Sequence, residues 1–301
     1  QWSSSAASDV YKRQAYNLLN QGNVEQSIKL FDKITDSYPN TAQAYHLKAY
    51  AYLKAGNNNS AYDNFTRAHN LDPVSVDITM DFANFLSQIG KTDEALNLLK
   101  SLEGVTDNPK LLYNIGCIFM DALKYKEALE NFKKNLEIEP LNKNSSFNVG
   151  ICLFNLQEYK LAIKVFEEYQ KTFEIDFDAE KYISMSYFSI NELDNAEKSL
   201  KKLLKIKPND AGIFFELGLV LSKNNKFERA IDAYRNALKL QPDFSDAFKN
   251  MVILMKKIDK LNEAISFCKQ KLSENNTDYI ALSNLAQIYQ LNGEADKAIF
   301  Y

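Results

Sequence analysis

Hydrophobic positions recur along this chain with the spacing of amphipathic helices, and the whole pattern repeats about every 34 residues. When one period is counted as places 1 to 34, apolar side chains occupy places 4, 7, 8 and 11, then places 17, 20, 21, 24 and 27. Both groups follow the i, i+3, i+4, i+7 spacing that puts side chains on one face of a helix. Each period therefore predicts two amphipathic helices joined by a short turn.

Two independent sets of residues define the length and phase of the period. Prolines at place 32 are separated by 34, 67, 68 and 34 residues, and the small residues at place 20 by 34 residues, with one step of 33. The small residues are Ser27, Ala61, Ala95, Ala128, Ala162, Ala196, Ala230, Ala264 and Ala298. Eight complete repeats and a shortened ninth follow, beginning at Ser8, Ala42, Val76, Pro109, Lys143, Phe177, Ala211, Ser245 and Tyr279.

Glycine, asparagine and proline mark where the predicted helices stop. Place 15, between the two helices, is a glycine or asparagine in six repeats, and these residues tolerate a positive φ: Gly22, Gly56, Gly90, Asn191, Asn225 and Gly293. Proline at place 32 ends the second helix. Small residues at places 8 and 20 predict a close crossing of the two helices, where a larger side chain would overpack the contact.

A 34-residue helix-turn-helix with small places 8 and 20, apolar or aromatic places 4, 11 and 24, and proline at place 32 resembles the tetratricopeptide repeat. The resemblance covers Ser8 to Tyr301. It implies an all-α fold, a right-handed α-solenoid (superhelix) of antiparallel helix pairs. A fold of this kind is a scaffold and does not by itself specify a biochemical activity.

The two ends of the chain suggest a fragment. The opening segment QWSSSAASDVYKRQ has no initiator Met, is rich in Ser and Ala, and resembles translated read-through in metagenomic assemblies. We expect residues 1–14 to be a non-native tail that partly overlaps the first helix. Residues 8–301 are expected to form a single solenoid, truncated at its C-terminus in the middle of a helix.

Composition and charge narrow the function classes. Lys and Arg number 36 against 39 Asp and Glu, so the basic excess of a nucleic-acid-binding domain is absent. No apolar run is long enough to span a membrane. Two His and three Cys without metal-ligand spacing predict reduced thiols, a cytoplasmic location, and neither a metal nor a cofactor. We expect a protein that is not an enzyme and has no small-molecule substrate.

A row of asparagines is the first candidate for partner binding. In the family, places 2, 5, 6, 9, 12 and 13 of the first helices face a concave groove, and place 6 is Asn114, Asn148, Asn250 and Asn284 here. An amide can donate and accept hydrogen bonds to an extended peptide backbone. The row resembles the asparagine ladder in the repeat arm of O-linked N-acetylglucosamine transferases. The alternative is a general compositional bias, since the chain has 31 Asn.

Other side chains on the same predicted surface complete the candidate site. Asn84 lies at place 9, and Lys181 and Lys249 at place 5. Aromatic side chains at places 5, 6, 9 and 12 are suited to anchoring a partner: Tyr16, Tyr50, Tyr113, Phe147, Phe154, Tyr182, Phe188 and Phe215. The alternatives are that the aromatics pack against the next repeat and that the lysines belong to a solvated face of mixed charge.

The function predicted from these residues is a protein-interaction scaffold that binds a partner peptide or protein segment in its groove. We expect no nucleic-acid partner and no membrane insertion. Two other hypotheses remain open: the substrate-recruiting arm of a larger glycosyltransferase or sulfotransferase, and an architectural assembly adaptor.

Overall fold

The computed structural model describes the backbone of residues 2–102 and 108–301, with side chains from Asp9 onward in the first helix. Gln1, the first residue of the predicted tail, lies outside the described residues. Within these ranges the chain forms eighteen helices and no strand. The helices are α1 (Trp2–Asn20), α2 (Val24–Ser37), α3 (Ala42–Lys54), α4 (Asn58–Leu71), α5 (Val76–Gln88), α6 (Thr92–Lys100), α7 (Pro109–Asp121), α8 (Tyr125–Ile138), α9 (Lys143–Asn155), α10 (Tyr159–Phe173), α11 (Phe177–Ser189), α12 (Leu193–Ile206), α13 (Ala211–Lys223), α14 (Phe227–Leu240), α15 (Ser245–Lys257), α16 (Leu261–Glu274), α17 (Tyr279–Leu291) and α18 (Ala295–Phe300).

Odd-numbered helices are the first helices of the repeats, and from α3 onward each begins at place 1 of its repeat. Polar residues at place 34 of the preceding repeat cap several of these helices. The Asp210 carboxylate accepts a hydrogen bond from the Ile213 amide of α13 at 3.2 Å, and Asp176 accepts one from the Ala179 amide of α11 at 3.0 Å. Such caps satisfy amides that have no partner inside the helix, which fixes where each repeat begins.

The turn inside every repeat uses a residue with positive φ at place 15. Gly56 has φ 72° and Asn225 has φ 57°, as their residue types predict. Leu123, Gln157 and Asp259 adopt the same conformation, with φ of 59°, 63° and 60°. The repeat pattern therefore imposes this backbone geometry even where the side chain disfavours it.

Small residues at places 8 and 20 let the two helices of a repeat cross closely, as predicted. The place 20 residues Ser27 and Ala61 are fully buried, and the Ser27 hydroxyl donates to the Ala15 carbonyl at 2.8 Å. A Cβ added to Gly116 at place 8 would lie 2.7 Å from the ring of Phe132 at place 24. The large ring at place 24 thus occupies the space that the missing side chain leaves.

The helices are grouped in two compact bodies, Gln1–Asn148 and Val149–Tyr301. In the N-terminal body α1 contacts α3 and α5 contacts α7, and in the C-terminal body α15 contacts α17, so first helices lie beside first helices. The prediction of an all-α fold built from helix pairs is confirmed. Among the described helices, none is both long and apolar enough to cross a bilayer.

A network of ion pairs joins the second helices α12 and α14 in the C-terminal body. The Glu197 carboxylate is only 6% exposed and pairs with Lys201 at 2.7 Å, with Lys226 at 3.0 Å and with Arg229. Burial alone would raise the pKa of Glu197, but hydrogen bonds from these three cations outweigh it and lower the pKa to about 2. The carboxylate therefore stabilises the contact between two successive repeats.

Candidate partner-binding surface

In the N-terminal body, a hydrogen-bonded cluster joins the first helices α3 and α5. His46 is 5% exposed, and its Nε2 lies 3.0 Å from Oδ2 of Asp81. The Asp81 carboxylate also accepts a hydrogen bond from the Tyr50 hydroxyl. Burial alone would raise the pKa of Asp81, but the bonds from His46 and Tyr50 outweigh it and lower the pKa. Burial and the Asp81 charge raise the pKa of Tyr50. Tyr50, a predicted partner contact, is thus part of the contact between two repeats.

The predicted asparagines of this body differ in what they can offer a partner. Asn148 is 9% exposed and hydrogen-bonds Tyr113, whose ring lies 5.7 Å from that of Phe132. Asn84 and Asn114 are half-buried, and neither amide makes a side-chain hydrogen bond within the described part of the chain. Asn84 and Asn114 therefore retain donors and acceptors for a partner, whereas Asn148 is largely committed to the protein.

The same contrast holds for the asparagines of the C-terminal body. Asn284 is 7% exposed; its amide donates to the Ile280 carbonyl at 2.9 Å and accepts from Lys256 Nζ at 3.5 Å. Asn250 is half-buried, and among the described residues its amide has no hydrogen-bond partner. Of the four asparagines at place 6, only Asn114 and Asn250 present an unengaged amide at this surface.

Tyr16, the first predicted aromatic anchor, is 46% exposed, whereas the other anchors are half-buried and several of them pack on other rings. Tyr182 stacks on Phe166 with a centroid distance of 5.3 Å and lies 5.1 Å from Phe154. Phe215 lies 5.8 Å from Tyr234 and 4.8 Å from the Phe244 ring. The contacts of Tyr182 join two successive repeats, and those of Phe215 lie within one repeat, so both stabilise the packing of the fold. Contact of these rings with a partner remains a prediction.

Three other predicted residues differ in how far they are exposed. Phe147 on α9 is half-buried, and the lysines Lys181 on α11 and Lys249 on α15 are exposed to solvent. Exposed lysines on first helices are available to a partner, but they pay a large entropic cost when they are fixed in one conformation.

An apolar cavity of about 220 Å³ opens on the first helices of the C-terminal body, and we call it the first-helix pocket. Rings and aliphatic side chains from α9, α11 and α13 form its walls, and a leucine of α12 closes its base. Its lining residues are Phe154, Ser184, Met185, Phe188, Ser189, Leu200, Glu216, Leu219 and Val220. Met185 is 38% exposed, so the mouth of the pocket is accessible to solvent.

One carboxylate belongs to the wall of this pocket. Glu216 is half-buried, and within the described part of the chain it makes neither an ion pair nor a side-chain hydrogen bond. Burial raises its pKa, the charge of Lys181 partly opposes the shift, and Asp210 adds to it. The pocket thus combines an apolar interior with a partly desolvated acid.

The predicted candidate set omits Met185, Leu219 and Glu216, although all three lie at places that face the predicted groove. A usable signal was present at place 9, which is apolar in four successive repeats: Ile151, Met185, Leu219 and Ile253. Apolar side chains at a place that the helical period leaves outside the core indicate a binding surface. Among the described residues, no group of three His, Cys, Asp or Glu could hold a metal ion.

Comparison with known families agrees with this geometry. Tetratricopeptide repeat models match residues 113–179, 183–210 and 211–244. This chain is a tetratricopeptide-repeat protein. A model of subunit 3 of the anaphase-promoting complex (cyclosome) matches residues 20–102 of the same tetratricopeptide-repeat chain.

Individual relatives of this tetratricopeptide-repeat protein are distant. The Protein CTR9 homolog of Arabidopsis thaliana is 26% identical over an alignment of 121 residues that covers 38% of this chain and 11% of that protein. The chain therefore spans about a tenth of the length of the curated relative it matches.

Solved structures of tetratricopeptide-repeat proteins share its fold. YrrB, described as having an unusual peptide-binding site, is 26% identical with a TM-score of 0.51, covering 61% of this chain and 95% of YrrB. A tetratricopeptide repeat protein from Parabacteroides merdae is 17% identical with a TM-score of 0.58, covering 82% of this chain and 98% of that one. The second similarity concerns the fold alone.

Proposed function

We propose that this tetratricopeptide-repeat protein is a protein-interaction scaffold that binds an extended segment of a partner protein on its first helices. Proteins with this repeat generally act as non-enzymatic scaffolds, and YrrB, one of its structural relatives, is described as having a peptide-binding site. The observation that carries the proposal is the first-helix pocket, a solvent-accessible apolar cavity of about 220 Å³. Apolar cavities with a few polar groups at their edge are typical of recognition sites.

In this proposal the partner is bound by the first-helix pocket and by asparagine amides. The first-helix pocket buries an apolar side chain of the partner, which supplies most of the affinity. The amide of Asn250, which belongs to the same body as the pocket, pairs with backbone groups of the bound segment. Asn84 and Asn114 offer the same kind of contact to a segment bound on the N-terminal body. Neither role requires a cofactor, a metal ion or a catalytic group.

Selection from a displayed library of random dodecapeptides tests the proposal. We expect the protein to enrich a family of peptides, and Leu219→Asp to weaken their binding at least tenfold because a charge is placed at an apolar contact. Asn250→Ala should weaken the free energy of peptide binding by about 0.5–1.5 kcal/mol, the net contribution of one hydrogen bond. Glu228→Gln, an exposed substitution on the second helix α14, is the matched control and should leave the Kd unchanged.

The result that contradicts the proposal is equal binding of the selected peptides to the wild type and to Leu219→Asp. Far-ultraviolet circular dichroism and the thermal midpoint of each variant must match the wild type, so that lost binding cannot be attributed to unfolding. A selection without enrichment over a control protein would also contradict it.

The architectural adaptor is a second candidate, favoured by the match of residues 20–102 to a model of a subunit of a large complex. On that proposal the outward side chains of second helices make the contacts. Once a partner is identified, capture that survives Leu219→Asp but is lost on substituting exposed side chains of α4 would favour the adaptor.

A further inference from the structure

We infer that the first-helix pocket recognises partner segments in which an apolar side chain lies within two residues of a Lys or Arg. The apolar side chain fills the cavity, and the basic side chain pairs with Glu216. The inference rests on the proposed function and names the chemistry of the segment that the surface binds.

The size and lining of the pocket specify one apolar side chain as its occupant. Its volume of about 220 Å³ lies below the ~300–1,000 Å³ of sites that enclose whole small molecules. Phe154 and Phe188 offer rings, while Met185 offers a flexible thioether that adapts to aliphatic or aromatic groups. A single side chain anchored in such a cavity is the usual centre of a peptide contact.

The charge at the edge of the pocket indicates that the partner segment also carries a basic residue. The Glu216 carboxylate is half-buried and, in the described part of the chain, has no cation within ion-pair distance. Partial desolvation without a partner is unfavourable for a carboxylate, and a cation that forms charge-assisted hydrogen bonds removes that penalty. A basic group on the bound segment supplies this cation.

The other charges near the pocket are consistent with a basic partner. Lys181 lowers the pKa of Glu216 and Asp210 raises it, so the two charges act on this carboxylate in opposite directions. Lys223 is already engaged, since its Nζ lies 4.3 Å from the centre of the Phe188 ring and 3.5 Å from the Phe188 carbonyl oxygen. Glu216 is therefore the charge that remains unmatched at the edge of the cavity.

Along an extended segment, side chains two residues apart point to the same side, and neighbouring ones to opposite sides. A Lys or Arg at the second position from the apolar anchor faces the surface that holds Glu216. The long side chain of either residue also allows it to reach the carboxylate from the adjacent position. This geometry sets the limit of two residues in the inferred pattern.

The test compares dodecapeptide pools selected from one random phage-displayed library by four proteins: wild type, Glu216→Gln, Glu216→Lys and the control Glu228→Gln. We expect wild-type and control pools enriched in an apolar residue with Lys or Arg within two positions. The Glu216→Gln pool should keep the apolar residue and lose the basic one, and the Glu216→Lys pool should acquire Asp or Glu.

A synthetic copy of the peptide most enriched by the wild-type protein is then used to measure how much its basic residue contributes to affinity. Replacing its basic residue by Gln should raise the Kd about tenfold on the wild type, and less than about twofold on Glu216→Gln, as expected for one charge-assisted contact. Fluorescence anisotropy measures both values, and added salt should reduce the difference.

The outcomes separate this inference from the proposed function. Wild-type pools that contain the apolar residue without an associated Lys or Arg, or with Asp or Glu, overturn the inference and leave peptide binding intact. Equal basic enrichment on Glu216→Gln overturns it as well. Pools without any enrichment overturn both.

Discussion

Replacing Gly218 by alanine tests whether a missing side chain is what allows the helices of a repeat to cross. An added Cβ would lie 2.6 Å from Cδ1 and 2.8 Å from Cζ of Tyr234, a ring that is 1% exposed. Real Cβ atoms essentially never approach other heavy atoms so closely, so the ring or the helix α13 must move. Both are enclosed by the core of the C-terminal body.

Two opposing effects determine how much Gly218→Ala changes the free energy of unfolding. Alanine is favoured over glycine inside a helix by about 1 kcal/mol. Overpacking a well-packed core costs about 1–3 kcal/mol, and so short a contact belongs at the upper end. We therefore expect Gly218→Ala to lower the free energy of unfolding by about 1–2 kcal/mol.

Gly212→Ala is the matched control on the same helix. Its added Cβ meets only Oδ1 of Asp210, at 3.2 Å, and a shift of this capping side chain by a few tenths of an ångström relieves the contact. The control should be neutral or stabilising by up to about 1 kcal/mol. Guanidinium unfolding followed by circular dichroism compares both variants with the wild type.

A second substitution identifies the ring as the cause. Tyr234→Leu in the Gly218→Ala background produces the pair Ala and Leu at places 8 and 24, the pair that Ala83 and Leu99 already form in another repeat. We expect the two changes to be non-additive, with the double variant more stable than the sum by about 1–2 kcal/mol. Strict additivity, or a Gly218→Ala variant more stable than the wild type, would refute the steric explanation.

Three further predictions concern contacts outside the first-helix pocket. Glu197→Gln should lower the free energy of unfolding by about 1–3 kcal/mol. Because the pKa of Glu197 is lowered to about 2 in the folded protein, this stabilisation is present above the ordinary pKa of a glutamate and is lost as the pH falls through about 2. Unfolding curves of the wild type and the variant at several pH values measure it. Leu123→Gly should raise the thermal midpoint, because an exposed leucine with φ 59° is strained by about 1 kcal/mol, whereas Gly56→Ala at the equivalent place should lower it. Asp81→Asn should destabilise the contact between α3 and α5 by about 1–2 kcal/mol, and faster amide hydrogen exchange around His46 would report it.

Most of the fold could be predicted from the sequence because each helix boundary is a local event. Place 34 caps, place 15 turns and place 32 prolines act on the backbone next to them. The turn at Leu123 was predictable from its place in the repeat but not from its residue type, since leucine disfavours positive φ. Where place 32 is Glu174, α10 continues to Phe173, one place further than the second helices that are followed by a proline at place 32. The missing proline is not sufficient for this, because α16 ends at Glu274, in the usual place, although place 32 of its repeat is Asn276.

The candidate surface was less predictable because it depends on contacts between helices. Periodicity assigns place 6 to the exposed side, but it does not indicate that Asn284 is held by Ile280 and Lys256 while Asn250 is not. The pocket arises where Met185 and Leu219, on adjacent first helices, meet Leu200 of a second helix. That convergence is a property of three-dimensional packing and has no signature within one period.

The order of helix contacts has a consequence for how the protein is made. Helices pack mainly on those next to them in the chain, and side-chain hydrogen bonds in the described residues join positions no more than 35 apart, as in the bond from Lys54 to the Leu19 carbonyl. Contacts this local do not require distant segments to meet. Each repeat that leaves the ribosome finds its packing partner already synthesised, so structure can accumulate during translation, repeat by repeat.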